Sequence, residues 1–385
     1  MNSVDKWVWF SECFNKGLRK SSLLLSHFGD VEEVFKTDRK TLASLNLKLT
    51  ETDIEKLCDK SLDGAKKIIA ECQKLGIRII TRTSSEYPKR LLEVFDAPFV
   101  LYAKGETLSV DDDAVIAVVG TRHASSGGCS AAKKIAEEIA LCGGVLCSGM
   151  ARGIDSLAMD AAIRNGGRVI GVLGCGLDIC YPPENKALMK KILDAGTLIS
   201  EYPPKTAPDR NNFPKRNRII SALSLGTVVI EAPEKSGALI TAREALEQNR
   251  DVFAVPSGIF EDTARGSNEL IRDGATPIFS GYDVMSEYAY RFPGKVNIKS
   301  SDVPYEDKAS PKEESVFSLP KDFLNSHSSD EQSVLLAISC DTVRADEIAA
   351  KSGLSIAKVL SLLTLLEIRG SVLQLPGNRF KIKKF

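Results

Sequence analysis

The feature that most constrains this chain is an alternation, between residues 114 and 287, of short apolar runs with glycine-containing loops and amphipathic segments. Apolar runs of this length, bounded by turn residues, are typical of strands buried on both faces of a sheet. The stretches between them predict helices, and this alternation predicts a mostly parallel sheet with helices on both faces. The predicted strands cover residues 115–119, 145–147, 169–173, 197–200, 227–230 and 251–255.

The loop after the first strand has the composition of an anion site. The run AVIAVVGTR ends at Gly120-Thr121-Arg122, and small polar residues then open a helix predicted from about Cys129. A strand, a tight loop and a helix N-terminus together present free backbone N–H groups to a negative charge. The pattern lacks both the G-x-G-x-x-G spacing and the Walker lysine. We therefore predict a phosphate site built from Gly120, Thr121 and Ser125, with Arg122 at its edge.

Two later loops are predicted to join this site, because binding groups collect at the carboxyl ends of parallel strands. Residues 148–155 and 236–241 both combine serine, glycine and a following helix. For the first loop an ordinary strand-to-helix turn, with Asp155 capping a helix near Ser156, is an equally good explanation. The predicted phosphate-binding residues of the two loops are Ser148, Gly149, Gly153, Ser236, Gly237 and Thr241.

The most basic segment of the core, residues 210–218 (RNNFPKRNR), places Phe213 among cations just before a helix predicted from Arg218. Cations that neutralise phosphates, with an aromatic ring on which a base stacks, suit a surface for single-stranded nucleic acid. The alternative is a solvated loop with Phe213 in the core and Glu231 paired with Arg218 or Arg216. The predicted contacts are Arg210, Phe213, Lys215, Arg216, Asn217 and Arg218.

Composition limits the chemistry of the chain. The chain has only three histidines, which argues against a histidine-based metal site or catalytic triad. No nucleophile–base pair and no carboxylate pair accompanies the loops. We therefore predict binding without catalysis, metal or cofactor. Lysine plus arginine equals aspartate plus glutamate, at 51 each, so any basic surface is local. Nine cysteines without a C-x-x-C pair favour reduced thiols in the cytoplasm, and no segment has the pattern of a signal peptide or membrane span.

The predicted organisation has four parts: a helical domain (1–85), the α/β core (86–290), a polar and disordered linker (291–329), and a C-terminal domain (330–385). The last part combines three predicted helices with a hairpin, which predicts a winged helix. Its second long helix, 355–369, carries only Lys358 and Arg369 as cations, so a protein partner and duplex DNA both remain open. The best candidate for DNA contact there is the basic tail, residues 381–384.

Read in order, these segments resemble the DNA-processing protein A (DprA/Smf) family. The resemblance rests on motifs spread over roughly 200 residues, among them Val119-Gly120-Thr121-Arg122, Ala151-Arg152-Gly153-Ile154-Asp155, Arg216-Asn217-Arg218-Ile219-Ile220, Leu239-Ile240-Thr241 and Val252-Phe253-Ala254-Val255-Pro256. It implies an extended Rossmann-like core, flanked by an N-terminal SAM/HhH-like helical domain and a C-terminal winged helix.

The resemblance also implies a function. It predicts a cytoplasmic homodimer that binds single-stranded DNA, has no catalytic turnover, and loads the RecA recombinase during natural transformation, with Arg122 on a DNA phosphate. Met159 departs from the family, which has histidine at this position. The alternative is a nucleotide-binding enzyme similar to the LOG-type phosphoribohydrolases, because residues 236–241 followed by Glu244 loosely resemble the glycine-rich loop and glutamate of those enzymes.

Overall fold

A computed structural model describes residues 4–14, 18–107, 109–298, 327–338, 343–375 and 379–382. The chain divides into two compact units, Met1–Pro304 and Tyr305–Phe385. Of the predicted linker, residues 299–326 lie outside the described residues, as do residues 376–378 of the predicted hairpin turn. Residues 291–298 belong to the first unit, where Val296 is buried in the core.

The first unit begins with six helices that pack on the sheet. A capping box at Thr50, with reciprocal hydrogen bonds to Asp53, starts the fifth helix where the sequence predicts it. The rings of Trp7 and Phe10 lie 6.4 and 4.9 Å from the ring of Phe99, which directly precedes a strand of the sheet at Val100, so the helices share their core with the sheet. The helices are α1 (Val4–Cys13), α2 (Leu18–Phe28), α3 (Val31–Lys36), α4 (Arg39–Ser44), α5 (Glu51–Cys58) and α6 (Asp63–Leu75).

The sheet of the first unit has nine strands in the order β1-β2-β6-β5-β4-β3-β7-β8-β9. The strands from β3 onward are parallel, which confirms the predicted α/β core, whereas β1 and β2 extend one side in antiparallel pairing. The strands are β1 (Arg78–Thr81), β2 (Val100–Gly105), β3 (Val115–Val119), β4 (Val145–Ser148), β5 (Val169–Leu173), β6 (Gly196–Ser200), β7 (Gly226–Val229), β8 (Asp251–Ala254) and β9 (Thr276–Pro277).

Strand β3 is central and buried on both sides. Ile116 and Val118 face one hydrophobic cluster, together with Ile135 of helix α8, while Ala117 faces a second cluster, together with Ile219 of helix α11. The β-branched run therefore contacts helices on both faces, as its composition predicts. The remaining helices of this unit are α7 (Lys89–Leu92), α8 (Ser126–Leu141), α9 (Ile154–Arg164), α10 (Lys186–Ala195), α11 (Asn212–Leu223), α12 (Gly237–Glu247), α13 (Arg265–Arg272) and α14 (Gly281–Ser286).

Helices α8, α11 and α12 begin earlier than the sequence analysis predicts, and the difference is largest for α11 and α12. Helix α11 begins at Asn212 rather than Arg218, and helix α12 begins at Gly237 rather than Ala242. Pro214 lies in the first turn of α11, where a missing N–H costs no helical hydrogen bond. Residues that the sequence predicts in two loops therefore lie on helices, which fixes the directions of their side chains.

The second unit is a winged helix, as predicted. Three helices surround a core that includes Val334, Ile348 and Leu363, and a small antiparallel sheet has the order β10-β12-β11. Its elements are α15 (Ser329–Ile338), β10 (Val343–Arg344), α16 (Ala345–Ser352), α17 (Ile356–Ile368), β11 (Val372–Leu375) and β12 (Arg379–Ile382). Across the described parts of both units, no helix is both long enough and apolar enough to cross a bilayer.

Candidate nucleic-acid interface

The carboxyl ends of β3 and β7 and the first turns of α11 and α12 surround one pocket of about 410 Å³, here called the central pocket. Three predicted segments, distant in sequence, meet in it. The predicted residues that line it are Gly120, Thr121, Arg122, Phe213, Arg216, Asn217, Ser236, Gly237 and Thr241. The predicted residues that do not line it are Ser125, Ser148, Gly149, Gly153, Arg210, Lys215 and Arg218.

The Gly120-Thr121-Arg122 loop is held from both sides by backbone hydrogen bonds. The N–H of Thr121 donates to the carbonyl oxygen of Glu231 at 2.8 Å, and the N–H of Ile154 donates to the carbonyl oxygen of Thr121 at 3.2 Å. A side chain at Gly120 would collide with Ile154, which packs against the loop. The loop is thereby fixed while the Arg122 side chain remains exposed to solvent.

Gly153 packs directly against the backbone of the same loop. We expect Gly153→Ala to lower the stability of the protein strongly. Its φ is 77°, and an added Cβ would lie against the Thr121 carbonyl and 2.8 Å from the Arg122 backbone. Gly166 is a control for positive φ alone, because its φ is 74° and an added Cβ meets no atom within 4 Å. Gly166→Ala should cost about 1–2 kcal/mol from backbone strain. Gly153→Ala should cost about 1–3 kcal/mol more, because its backbone (φ 77°, ψ −128°) lies in a region that side chains avoid and its Cβ would collide with the Arg122 loop. Urea unfolding of both variants measures the difference, and equal losses would contradict the tighter constraint on Gly153.

The N-terminus of helix α8 is already occupied by a carboxylate of the protein. Glu231 is buried, and its side chain accepts hydrogen bonds from the Ser125 N–H at 3.1 Å and the Ser125 hydroxyl at 2.7 Å. A carboxylate at a helix N-terminus takes the position that an external anion would take. The N–H and hydroxyl of Ser125, a predicted phosphate-binding residue, are therefore engaged within the protein, and Glu231 pairs with Ser125 rather than with Arg216 or Arg218 as in the alternative interpretation.

The polar side chains of the loop over residues 148–155 form hydrogen bonds within the protein. The Ser148 hydroxyl is fully buried and donates to the carbonyl oxygen of Val118 at 2.6 Å, so it faces no ligand. The carboxylate of Asp155 accepts from the N–H groups of Gly149 at 3.2 Å and Ala151 at 3.4 Å, and burial raises the pKa of this carboxyl. Asp155 therefore ties its own loop together and does not cap α9, which has Gly153 at its N-cap.

Arg216 forms part of the pocket wall, but it is not a free cation. Its side chain is only 4% exposed and donates to the carbonyl oxygens of Gly149, at 2.7 Å, and Val172. Burial lowers the pKa of the Arg216 guanidinium, and the nearby Asp155 carboxylate opposes that shift. A side chain at Gly149 would collide with this guanidinium, so Gly149 serves the packing of Arg216.

Arg218 points away from the central pocket. It is 5% exposed, and its guanidinium lies 2.6 Å from the carboxylate of Glu201 and 3.3 Å from that of Asp96. Burial lowers its pKa, but the two carboxylates outweigh that effect and raise it. Arg218, which was predicted to contact DNA, is therefore buried, and its charge is already neutralised within the protein.

Four exposed cations surround the mouth of the central pocket or lie beside it on α11 and its preceding loop. None of them forms an ion pair with any residue in the parts of the chain that the structure describes. Such unpaired groups are available to phosphates, whereas neutralised ones are not. The sequence analysis did not predict Lys235 as a site residue. Its position directly before Ser236, which caps helix α12, is the signal that could have placed it at this site. The four are Arg122, Arg210, Lys215 and Lys235.

Phe213 lies at the pocket mouth between an aromatic ring and a cation. The Tyr181 ring stacks on it with centroids 5.3 Å apart and planes at 25°, and the Arg122 guanidinium lies 5.9 Å from its centroid. Tyr181 is 38% exposed, so this aromatic pair reaches solvent. Tyr181 was not predicted as a site residue, since it comes from a loop far from Phe213 in sequence.

Among the described residues that line the central pocket, Asp155 carries the one carboxylate, which accepts hydrogen bonds from backbone N–H groups. Glu244, the residue of the enzyme alternative, lies on α12 outside the pocket lining. No cluster of three or more potential metal ligands occurs in the described parts of the chain. Met159 is fully buried in the hydrophobic core.

Together, the fold and the central pocket define a Rossmann-like protein with a cationic, aromatic-lined edge and a separate winged-helix unit. Two family models match the chain: that of DNA recombination-mediator protein A over residues 78–289, and that of the DprA winged helix domain over residues 319–378. The chain belongs to the DprA/Smf family of DNA-processing proteins.

Known relatives agree with this assignment. The chain is 41% identical to the DNA processing protein DprA of Bacillus subtilis over 225 residues, which cover 58% of this chain and 76% of that protein. It is 34% identical to the protein Smf of Synechocystis over 82% of both chains. The X-ray structure of DprA from Streptococcus pneumoniae aligns with a TM-score of 0.65 and 32% identity, over 74% of this chain and 99% of that one. DNA processing protein A from Helicobacter pylori, solved for its single-stranded DNA binding mode, aligns with a TM-score of 0.51 and 29% identity, over 56% of this chain and 96% of that one.

Proposed function

We propose that this protein binds single-stranded DNA across the mouth of the central pocket, without catalytic turnover. The observation that carries the proposal is the group of exposed, unpaired cations beside the stacked rings of Phe213 and Tyr181. Phosphates neutralise the cations, and bases that are free of a duplex stack on the rings. The Helicobacter pylori relative, whose structure concerns single-stranded DNA, supports the same ligand.

The direct test compares a labelled 20-nucleotide oligothymidylate, dT20, with a duplex of the same length at one salt concentration. We expect dT20 to bind at least about tenfold more tightly, because base stacking on exposed rings requires unpaired bases. Equal affinities would contradict the proposal, since charge alone would then account for binding.

We further propose that the protein delivers its strand to the RecA recombinase during natural transformation, which places it in the cytoplasm. Family membership supports this step. The test is the rate of RecA-dependent ATP hydrolysis on a strand covered by single-strand-binding protein. Addition of this protein should shorten the lag before hydrolysis, and an unchanged lag would contradict a loading role.

A homodimer is part of the proposal. Strand β9 forms one edge of the sheet, and large apolar side chains are exposed in the segments that follow β8 and β9, at Ile259, Phe260 and Phe279. Adjacent exposed apolar side chains, such as Ile259 and Phe260, are consistent with an interaction surface. Sedimentation velocity should give twice the chain mass, and a monomer at all concentrations tested would contradict the dimer.

The enzyme alternative has a direct test as well. The pocket carboxylate, Asp155, is bonded to its own loop, and Glu244 lies outside the pocket lining, so we propose no hydrolytic function. Incubation with nucleoside monophosphates should release no free base above the spontaneous rate. Turnover that depends on the protein would overturn this part of the proposal.

For the winged helix we propose a protein partner rather than duplex DNA. Both cations of the predicted helix 355–369 are already in ion pairs, Lys358 with Asp330 at 2.6 Å and Arg369 with Glu331 at 2.8 Å, whereas Ile368 is 78% exposed. Of the predicted basic tail, residues 381–384, residues 383 and 384 lie outside the described residues.

Removal of the second unit, residues 305–385, should therefore change duplex affinity by no more than about twofold, because few phosphate contacts are lost. The full chain is the reference, and gel-shift titration with the same duplex measures both proteins. A loss of about tenfold or more would assign duplex binding to the winged helix.

A further inference from the structure

The solvent-facing side of helix α6 is cationic. Lys66, Lys67 and Lys74 are exposed, and none of them forms an ion pair with a residue that the structure describes. Amphipathic packing requires this side of the helix to be polar but not to carry one sign of charge. The helix dipole accounts for Asp63 in the first turn and Lys74 in the last, whereas Lys67 lies between them, where that effect is absent. The charge of this surface therefore needs a further explanation.

One flank of this surface borders the carboxyl edge of the sheet. Lys67 lies four residues before Glu71 and Lys74 three residues after it, so the three side chains are neighbours on the helix. The Glu71 carboxylate lies 3.1 Å from the Nζ of Lys205, in the segment that follows β6. The N–H of Lys205 donates to the carboxylate of Asp178, in the segment that follows β5, at 2.9 Å. Lys67 and Lys74 therefore lie beside the loops in which the binding groups of a parallel sheet collect.

The same loops reach the mouth of the central pocket. The carbonyl oxygen of Gly174, after β5, accepts from the Asn212 side chain at 3.2 Å, and a side chain at Gly174 would meet the ring of Phe213. From Lys205 the chain runs to Arg210, an exposed cation that has no ion pair among the described residues and does not line the pocket. Strands β3 and β6 are three steps apart in the sheet, which is about 14 Å along its edge. Cations spread over such a distance suit a chain of phosphates rather than a single one.

Two exposed carboxylates lie beside this path, and both accept hydrogen bonds from the backbone. Asp178 accepts from the Lys205 N–H, and Asp209 accepts from the Asn211 N–H at 2.7 Å. Glu71 is paired with the Lys205 side chain. Among the described residues of the path, the groups left without a partner are therefore cations, which favours a polyanion as the ligand.

We propose that a single strand of DNA held at the central pocket continues along this edge, past Arg210 and Lys205, and crosses helix α6 with its phosphates on Lys67 and Lys74. The inference rests on the proposed function and adds the N-terminal helical domain to the DNA interface. Helix α6 has no aromatic residue, so its contacts are with the sugar-phosphate backbone and carry no sequence preference.

The test compares labelled dT20 with labelled dT6 on the full chain, because dT6 has about as many phosphates as the cations at the pocket mouth can neutralise. Lys67→Ala combined with Lys74→Ala should weaken dT20 binding about threefold to thirtyfold. It should also make the salt slope for dT20 shallower by about 1.4, since two phosphate contacts are lost. Binding of dT6 should stay unchanged. An unchanged affinity and slope for dT20, or an equal loss for dT6 and dT20, would overturn the inference.

Glu71→Gln tests the same path with the opposite sign. It keeps the shape of the side chain and frees Lys205, so dT20 should bind about twofold to fivefold more tightly, with a salt slope steeper by about 0.7. Weaker or unchanged binding of dT20 would overturn the path past Lys205.

Lys40→Ala combined with Lys48→Ala is the matched control. Both lysines are exposed, have no ion pair among the described residues, and lie in the same helical domain, on α4 and in the loop that follows it. This variant should leave dT20 binding nearly unchanged, and a loss equal to that of the α6 variant would overturn the inference in favour of net charge. If Arg122→Ala weakens dT20 and the α6 variant does not, this inference alone fails. If dT20 does not bind the wild-type protein, the proposed function fails as well.

Discussion

Replacing Arg218 by alanine should lower the free energy of unfolding by about 3–5 kcal/mol, because it removes one partner of a buried ion pair. The Glu201 side chain is 14% exposed and would lose the guanidinium that lies 2.6 Å from it. Asp96, at 3.3 Å, would lose the same counter-ion. A carboxylate that is largely buried without a counter-ion destabilises the folded state, because no attractive interaction offsets its loss of hydration. Urea unfolding followed by circular dichroism measures the loss.

Arg210 provides the matched control for this prediction. It belongs to the same basic segment, but it is exposed and has no ion-pair partner in the described part of the chain. Arg210→Ala should therefore change stability by less than about 0.5 kcal/mol. Similar losses in the two variants would contradict the distinction between the buried and the exposed cations of this segment.

Replacing Arg122 and Lys235 together by alanine should weaken dT20 binding by roughly 10- to 100-fold, because two charged contacts with phosphates are lost. Both side chains are exposed and unpaired, so the fold should tolerate the change. Fluorescence anisotropy with labelled dT20 measures the affinity, and the thermal unfolding midpoint should stay close to that of the wild-type protein.

The control for this variant removes the same charge elsewhere. Arg164 and Arg272 are exposed and lie in the last turns of α9 and α13, at the opposite edge of the sheet. Arg164→Ala combined with Arg272→Ala should leave dT20 affinity nearly unchanged. Equal weakening by the two double variants would mean that net charge, and not the central pocket, determines binding.

The parallel core and the winged helix could be predicted because their signals are local. Five consecutive β-branched or small apolar residues from Val115 identify a doubly buried strand, and glycine punctuation marks the loops that follow such strands. The first residues of α11 and α12 were predicted less accurately. Pro214 and Gly237 are typical of loops, yet a helix accepts either residue in its first turn. Arg216 and Arg218 were consequently predicted as DNA contacts, although their helix buries both.

Other parts of the site depend on contacts between distant segments. The sequence could not show that Glu231 occupies the N-terminus of α8, because Ser125 lies 106 residues away from it. Nor could it bring Tyr181 onto Phe213, since Tyr181 lies in a loop and Phe213 lies on helix α11, far from it in sequence. Such pairings are set by the packing of the whole sheet, whereas composition indicates only which residue types are available.

The salt dependence of dT20 binding tests the role of Arg122 most directly. For single strands, the slope of the logarithm of affinity against that of salt concentration changes by about 0.7 for each phosphate neutralised. Arg122→Ala should therefore give a slope that is shallower than the wild-type slope by about 0.7, together with weaker binding at low salt. An unchanged slope and an unchanged affinity would contradict a phosphate contact by Arg122.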